Sequence, residues 1–187
     1  MDLLTSIILS VIILILIIVL ITVIWWIMTS NNFKRTSIKT SEALSGIEVA
    51  LTKRYDMLTK LLDVAKGYAS HEKTLFMETI TLRKGMSVSE INDADNQINA
   101  MASRINAVAE AYPELRSSDV FCELQAGIRD AEEHLQAARR LYNSIVTRYN
   151  TAMAVFPSSI VANSQKLAPV DFFKTEEWKK ADVKIQF

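Results

Sequence analysis

Between residues 3 and 28 the chain carries no charge, and its only polar residues there are Thr5, Ser6, Ser10 and Thr22. A membrane-crossing helix needs roughly 20 apolar residues. Residues 1–33 are therefore predicted to form one transmembrane anchor, with Leu3, Ile7, Leu14, Leu20, Trp25, Trp26 and Met28 facing lipid or its interface. A cleaved secretory signal fits poorly. Its leader should be cationic, whereas this one holds Asp2 and no basic residue. The apolar run also exceeds the roughly 7 to 15 residues of a signal, and it exits through Trp25-Trp26, the kind of aromatic pair that sits at a membrane interface.

After residue 33 the pattern changes to apolar residues spaced by three and four, with no sustained period-two alternation, so helices are predicted and strands are not. The first stripe is Ile47, Leu51, Tyr55, Leu58, Leu62, Ala65, Ala69, Phe76 and Ile80, and it closes at Arg83-Lys84-Gly85, where Gly85 would supply a left-handed cap. The second is Ile91, Ala94, Ile98, Met101, Ile105, Val108 and Tyr112, opened by a capping box of Ser87 with Glu90 and closed by Pro113. The third is the most regular: Phe121, Leu124, Ile128, Ala131, Leu135, Ala138, Tyr142, Ile145, Tyr149, Ala152 and Phe156, opened by Ser117-Ser118-Asp119 and ended by Pro157.

Three amphipathic helices with short connections bury their stripes best against one another. The predicted fold is all-α: one transmembrane helix, then an antiparallel bundle of three long helices over residues 34–157, then a tail over residues 158–187. The tail holds Pro169, Phe172, Phe173 and Trp178 among charges, which suggests a short docked helix and an extended end. The helix lengths do not match. A middle helix of about 25 residues covers roughly 36 Å at 1.5 Å per residue, and a first helix unbroken from 33 to 84 would cover more than twice that. Its overhang, and that of the third helix, should pack on other copies, on other proteins or on the chain's own tail.

Composition narrows the chemistry. The 21 acidic residues include Asp2, so the remainder carries 21 basic against 20 acidic residues, and that balance argues against nucleic acid as a partner. About 155 residues beyond the anchor suffice for one domain with its own core. The one cysteine, Cys122, lies beside the stripe position Phe121 and reads as a small helix-facing hydrophobe. Neither His71 nor His134 belongs to a Glu-x-x-His motif, and Asp130 with His134 reads as a solvated pair, so no metal, cofactor or catalytic residue is predicted.

Polar residues caught in or beside the stripes stand out. Glu72 interrupts the first stripe between Ala69 and Phe76, near Tyr68 and His71, and Arg54 adjoins Tyr55. On the third helix Tyr142-Asn143 recurs one heptad later as Tyr149-Asn150, with Arg139 and Arg140 close by. Buried polar groups must find partners. These ten residues are predicted to form either a polar layer that fixes helix register or a face that recognises a partner.

The stretch Tyr112-Pro113-Glu114-Leu115, then Phe121 and Leu124, then Ala138-Arg139-Arg140-Leu141-Tyr142-Asn143, Tyr149-Asn150-Thr151-Ala152 and Phe156-Pro157 resembles the LemA family, bacterial proteins with an N-terminal anchor and a cytoplasmic helical bundle. Lys66-Gly67-Tyr68-Ala69 and His71-Glu72 add to the resemblance, which covers residues from about 50 to 160. Family members usually follow the Arg-x-Asp of the first helix with a Pro-Asn segment. Here Arg54-Tyr55-Asp56 runs into Met57-Leu58-Thr59-Lys60, which predicts a straighter helix. The resemblance implies a fold and a location and no particular reaction.

Lys34, Arg35 and Lys39 follow the anchor while no basic residue precedes it, which predicts a cytoplasmic C-terminal domain at the bacterial inner membrane. The expected role is a non-enzymatic scaffold or adaptor, self-associating into a homo-oligomer on the lipid bilayer. The alternative is an accessory or regulatory subunit of a membrane protease, secretion or sensory complex, with another membrane protein as partner.

Overall fold

A computed structural model describes residues 3–69 and 80–173, with the side chains of Leu3 and Leu4 left aside. Among the described residues there is no strand. The elements are α1 (Leu3–Tyr68), α2 (Val88–Ala111), α3 (Pro113–Arg116), α4 (Asp119–Ala154) and α5 (Ser158–Ser164). The chain divides into two compact units. One takes residues up to Lys39 together with Thr147–Val170; the other takes Thr40–Val146 and the chain from Asp171 onward.

Helix α1 runs for 66 residues without interruption, through the Ser30-Asn31-Asn32 stretch where a hinge would be easiest to build. It begins with a window long and apolar enough to cross a membrane, of mean hydropathy 3.7 and with none of it buried. The predicted first helix extended to Lys84, but α1 ends at Tyr68. Gly67 one residue earlier supplies the weak point, because glycine in a helix costs about 1 kcal/mol relative to alanine. Ile80 is buried as expected but is not helical. Phe76, like His71 and Glu72, lies outside the described residues.

Gly85 does adopt the left-handed conformation predicted for it, at φ +79°, in a turn leading into α2 instead of at a helix end. Its N–H and that of Met86 both donate to Oε1 of Glu48 on α1, at 2.9 and 3.1 Å. The capping box forms as predicted: the Glu90 N–H donates to Ser87 Oγ and the Ser87 N–H to Glu90 Oε2, while Arg83 pairs with Glu90. Pro113 excludes the helical conformation at Tyr112, which sits at φ −123° and ψ 88°, and then opens the single turn of α3 that seats the fully buried Leu115.

The buried residues follow the predicted stripes, except that Tyr55, Tyr112, Leu124, Ala138 and Ala152 are only half-buried and the face of α4 drifts. Ile91, Ala94, Ile98, Met101, Ile105 and Val108 are all buried on α2, as are Ile47, Leu51, Leu58, Leu62 and Ala65 on α1. On α4, Phe121, Ile128, Ala131, Leu135, Tyr142 and Tyr149 are buried, but Val146 replaces Ile145 as the fully buried residue. A straight helix turns about 20° away from a seven-residue repeat per heptad, so the buried face moves toward later residues. The helix also ends at Ala154, before the last predicted stripe position, and Phe156 is 80% exposed.

In the first unit a small core gathers Phe33, Tyr149, Val161 and Ala162, with Trp25, Trp26, Met153, Leu167 and Val170 packed against it. The overhang of α1, expected to pack on other copies, on other proteins or on the chain's own tail, meets residues of its own chain: Phe33 touches Tyr149 of α4 edge to face, with ring centroids 5.9 Å apart.

Ser87→Ala removes the acceptor at the start of α2 and should cost about 1 kcal/mol of stability, read as a lower denaturant midpoint. Hydrogen bonds from Ser87 and its ion pair with Arg83 hold the Glu90 carboxyl below the usual glutamate range. The stabilisation from that carboxylate is present above the unfolded value and is lost as pH falls through the depressed one, so a Glu90→Gln variant and the parent should converge in acid.

Candidate functional site

Arg54 projects from α1 into the core of the second unit and is 7% exposed. Burying a guanidinium is tolerable only if it meets carboxylates and acceptors. One Nη donates to Asp95 Oδ1 at 3.1 Å and the other to Asn99 Oδ1 at 2.7 Å, both on α2. Its Nε lies 3.1 Å from Glu132 Oε2 on α4. Asp95, itself 5% exposed, has its second oxygen 2.7 Å from an Nη of Arg139 on α4 and also accepts from the Asn99 amide. The Arg54–Glu132 and Arg139–Asp95 contacts are close enough for ion pairing but are not aligned as hydrogen bonds. One buried carboxylate thus sits between two cations from different helices.

Arg139 continues outward. Its guanidinium stacks 5.3 Å from the ring centroid of Phe173, and Phe173 meets Tyr142 edge to face at 6.0 Å. The Asn143 side chain grips the backbone of that residue at both ends, accepting from the Phe173 N–H at 2.8 Å and donating to its carbonyl at 3.0 Å. The Tyr142 hydroxyl donates to the Asp171 carbonyl at 3.0 Å. Burial, then the nearby Asp171 charge, raises the Tyr142 pKa above the ordinary 10.0.

The same device appears in the first unit. Asn150 accepts from the Val170 N–H at 3.0 Å and donates to the Val170 carbonyl at 2.9 Å. Gln165 donates to Ser30 Oγ at 2.6 Å. A helix has already spent its backbone hydrogen bonds, so it offers an extended segment nothing to pair with. An asparagine amide on its surface supplies the missing donor and acceptor together.

Of the predicted residues, Arg54, Arg139, Tyr142 and Asn143 come together in one network, and Tyr149 and Asn150 serve the other unit's core and tail contact. Tyr68 and Arg140 are exposed, and among the described residues neither joins either group. His71 and Glu72 lie outside the described residues. Of the residues predicted to anchor the chain, Ile7, Leu14, Leu20 and Met28 are exposed, Trp25 and Trp26 are half-buried, and Leu3 lies in α1. Sequence reasoning missed Asp95, Asn99, Glu132 and the role of Phe173. Asp95 was findable, because it falls four residues after Ile91 and three before Ile98, inside the apolar stripe of α2.

Cys122 is exposed, contrary to the expected packed position, because it follows Phe121 at the start of α4 and turns to solvent. Lys53 pairs with Asp130 at 2.7 Å and His134 approaches the same carboxylate at 3.4 Å, all on the surface. The Lys53 hydrogen bond holds the Asp130 carboxyl below its usual range. Among the described residues no group of three His, Cys, Asp or Glu side chains is placed to hold a metal ion.

The LemA family profile matches residues 43–187. The chain is 25% identical to Protein LemA of Metamycoplasma hominis over 163 residues, 84% of this chain and 74% of that protein. It is 20% identical to magnetosome protein MamQ of Magnetospirillum gryphiswaldense over 69% of this chain and 58% of the relative. The same identity holds for MamQ 2 of Paramagnetospirillum magneticum over 79% and 65%. The chain therefore spans less than two thirds of either MamQ protein's length.

Asp95→Ala leaves Arg54 and Arg139 buried without their carboxylate and should cost about 3–5 kcal/mol, read from denaturant unfolding followed by circular dichroism. Asp130→Ala, at an exposed pair, should leave the midpoint almost unchanged. Tyr142→Phe should cost about 1 kcal/mol through the lost hydrogen bond to Asp171. Because the fold favours the protonated phenol, that stabilisation is intact below the unfolded tyrosine pKa and is lost as pH rises through the raised one. An alkaline ultraviolet titration should show one late-ionising tyrosine that Tyr142→Phe removes.

Proposed function

This chain belongs to the LemA family, and we propose that it acts as a non-enzymatic, membrane-tethered scaffold with its helical domain on the cytoplasmic face of a bacterial inner membrane. The observation that carries this reading is the continuity of α1. The same uninterrupted helix presents an unburied apolar window and then supplies Ile47, Leu51, Leu58, Leu61 and Ala65 to a core. A stretch with no protein cover and a hydropathy of 3.7 is suited to lipid, and the core-forming residues belong to the same helix. Lys34, Arg35 and Lys39 just beyond the window favour the cytoplasmic side.

The domain is best read as a three-helix bundle, since α1, α2 and α4 all contribute to the Arg54–Asp95–Arg139 network. What it organises is other copies of itself in the first instance. The alternative, an accessory subunit of a larger membrane complex, becomes the better reading if the isolated protein does not self-associate.

Two measurements test this. Cys122 is exposed and is the only cysteine, so a membrane-impermeant maleimide should label it in permeabilised cells and not in intact spheroplasts. Labelling without permeabilisation would reverse the orientation. Light scattering of the full-length protein in mild detergent should give one discrete oligomer, whereas a strict monomer would remove self-association and leave the accessory-subunit reading.

A further inference from the structure

The formal net charge of zero hides a strong segregation. Beyond Asp2, the first unit contains no acidic residue, while it carries Lys34, Arg35, Lys39, Arg148 and Lys166. All five are exposed, and among the described residues none is ion-paired. The same unit exposes large apolar side chains outside α1. At the corner between α4 and α5, Val155 is 48%, Phe156 80% and Ile160 50% exposed, although the opposite side of α5 buries Val161 and Ala162 completely.

Where this corner lies along α1 follows from contacts inside the unit. Tyr149 touches Phe33, while Met153, Val161 and Ala162 belong with Trp25 and Trp26 to one packed cluster, so α4 descends as α1 rises. Seven residues back along α1 from Phe33 is Trp26, and seven residues on from Tyr149 is Phe156. At 1.5 Å per residue Trp26 lies about 10 Å from the aromatic contact and Ala154, the last residue of α4, about 8 Å, with Val155 and Phe156 directly beyond it. The exposed corner therefore sits level with the tryptophan pair, and tryptophans mark the depth of a bilayer's headgroup region.

We propose that the α4–α5 corner is a second membrane contact. In it Val155, Phe156 and Ile160 insert at the interface of an anionic bilayer, beneath a collar formed by Lys34, Arg35, Arg148 and Lys166. This rests on the reading of α1 as a membrane anchor. Lipid is the occupant that the surroundings favour, because the corner continues the unburied apolar surface of α1, and the charge above it is of one sign. Attraction of such a collar to anionic headgroups acts within a Debye length, about 8 Å at physiological salt. An interfacial segment needs this combination of an apolar edge and adjoining cations.

The test uses the full-length chain in a Cys122→Ser background, with an environment-sensitive fluorophore at Leu14→Cys, Phe156→Cys, Ile160→Cys or Glu133→Cys. Each is reconstituted into vesicles of phosphatidylcholine with or without phosphatidylglycerol. The Leu14 label should be quenched by a nitroxide deep in the acyl chains. The Phe156 and Ile160 labels should shift to the blue and be quenched by a nitroxide near the headgroup, more strongly with phosphatidylglycerol present, and the Glu133 label should report water. Arg148→Glu with Lys166→Glu should abolish the gain from phosphatidylglycerol. If the Leu14 label is deep while the Phe156 and Ile160 labels behave like the one at Glu133, the corner is not a membrane contact and the anchor stands. A water-exposed Leu14 label would sink the anchor and the corner together. Excimer emission from pyrene at Phe156→Cys would place a second copy there and overturn the lipid assignment.

Discussion

The carboxylate of Asp95 is the constraint around which the larger unit is organised. It comes from α2, lies in an apolar stripe, and is 5% exposed, so it must be neutralised from outside its own helix. Arg54 of α1 and Arg139 of α4 do this from two directions. A purely apolar core of helical stripes would tolerate a helix sliding by a turn or rotating by one residue. A carboxylate that two guanidinium groups must reach does not, because a slipped register would leave charge buried and unpaired. The network need not add net stability to serve this purpose, since well-packed apolar residues often do as well or better.

That constraint extends to the tail through Arg139, whose outer face carries the ring of Phe173. The tail is then held by side-chain amides acting as substitutes for a peptide backbone. Asn143 pairs with both backbone groups of Phe173 in one unit, and Asn150 does the same for Val170 in the other. Aspartate in either place would offer acceptors and no donor, and serine too short a reach. The heptad spacing of the two asparagines on α4 thus acquires a physical meaning: each provides a strand-like docking point where a helix otherwise has none.

The sequence patterns made the stripes legible because burial on a helix leaves a periodic record. The capping box of Ser87 and Glu90 and the breaks at Pro113 and Ser118 were legible for the same local reason. What escaped was whatever depended on distance along the chain. The end of α1 at Tyr68 was hidden because Ala69 and Ile80 are buried in spite of not being helical, so they imitate a continuing stripe. The tyrosine–asparagine repeat was visible as unusual, but its partner lies 20 to 30 residues later in a segment with no periodicity of its own. Asp95 carries its sign in its position, a charge within the apolar stripe of α2 between Ile91 and Ile98 and not beside an aromatic residue.

Charge shows the same limit of reading a chain as a line. Basic and acidic residues balance over the whole sequence, yet the first unit draws Arg148 and Lys166 from far along the chain to join Lys34, Arg35 and Lys39. Three of these five are the flank that a topology rule reads, while the other two arrive only because α4 and α5 fold back to the core around Phe33. A linear count therefore understates the positive character near the apolar window of α1. It also mislabels Phe156 as the last core residue of α4, because periodicity records which face a side chain shares and not whether protein, water or lipid covers that face.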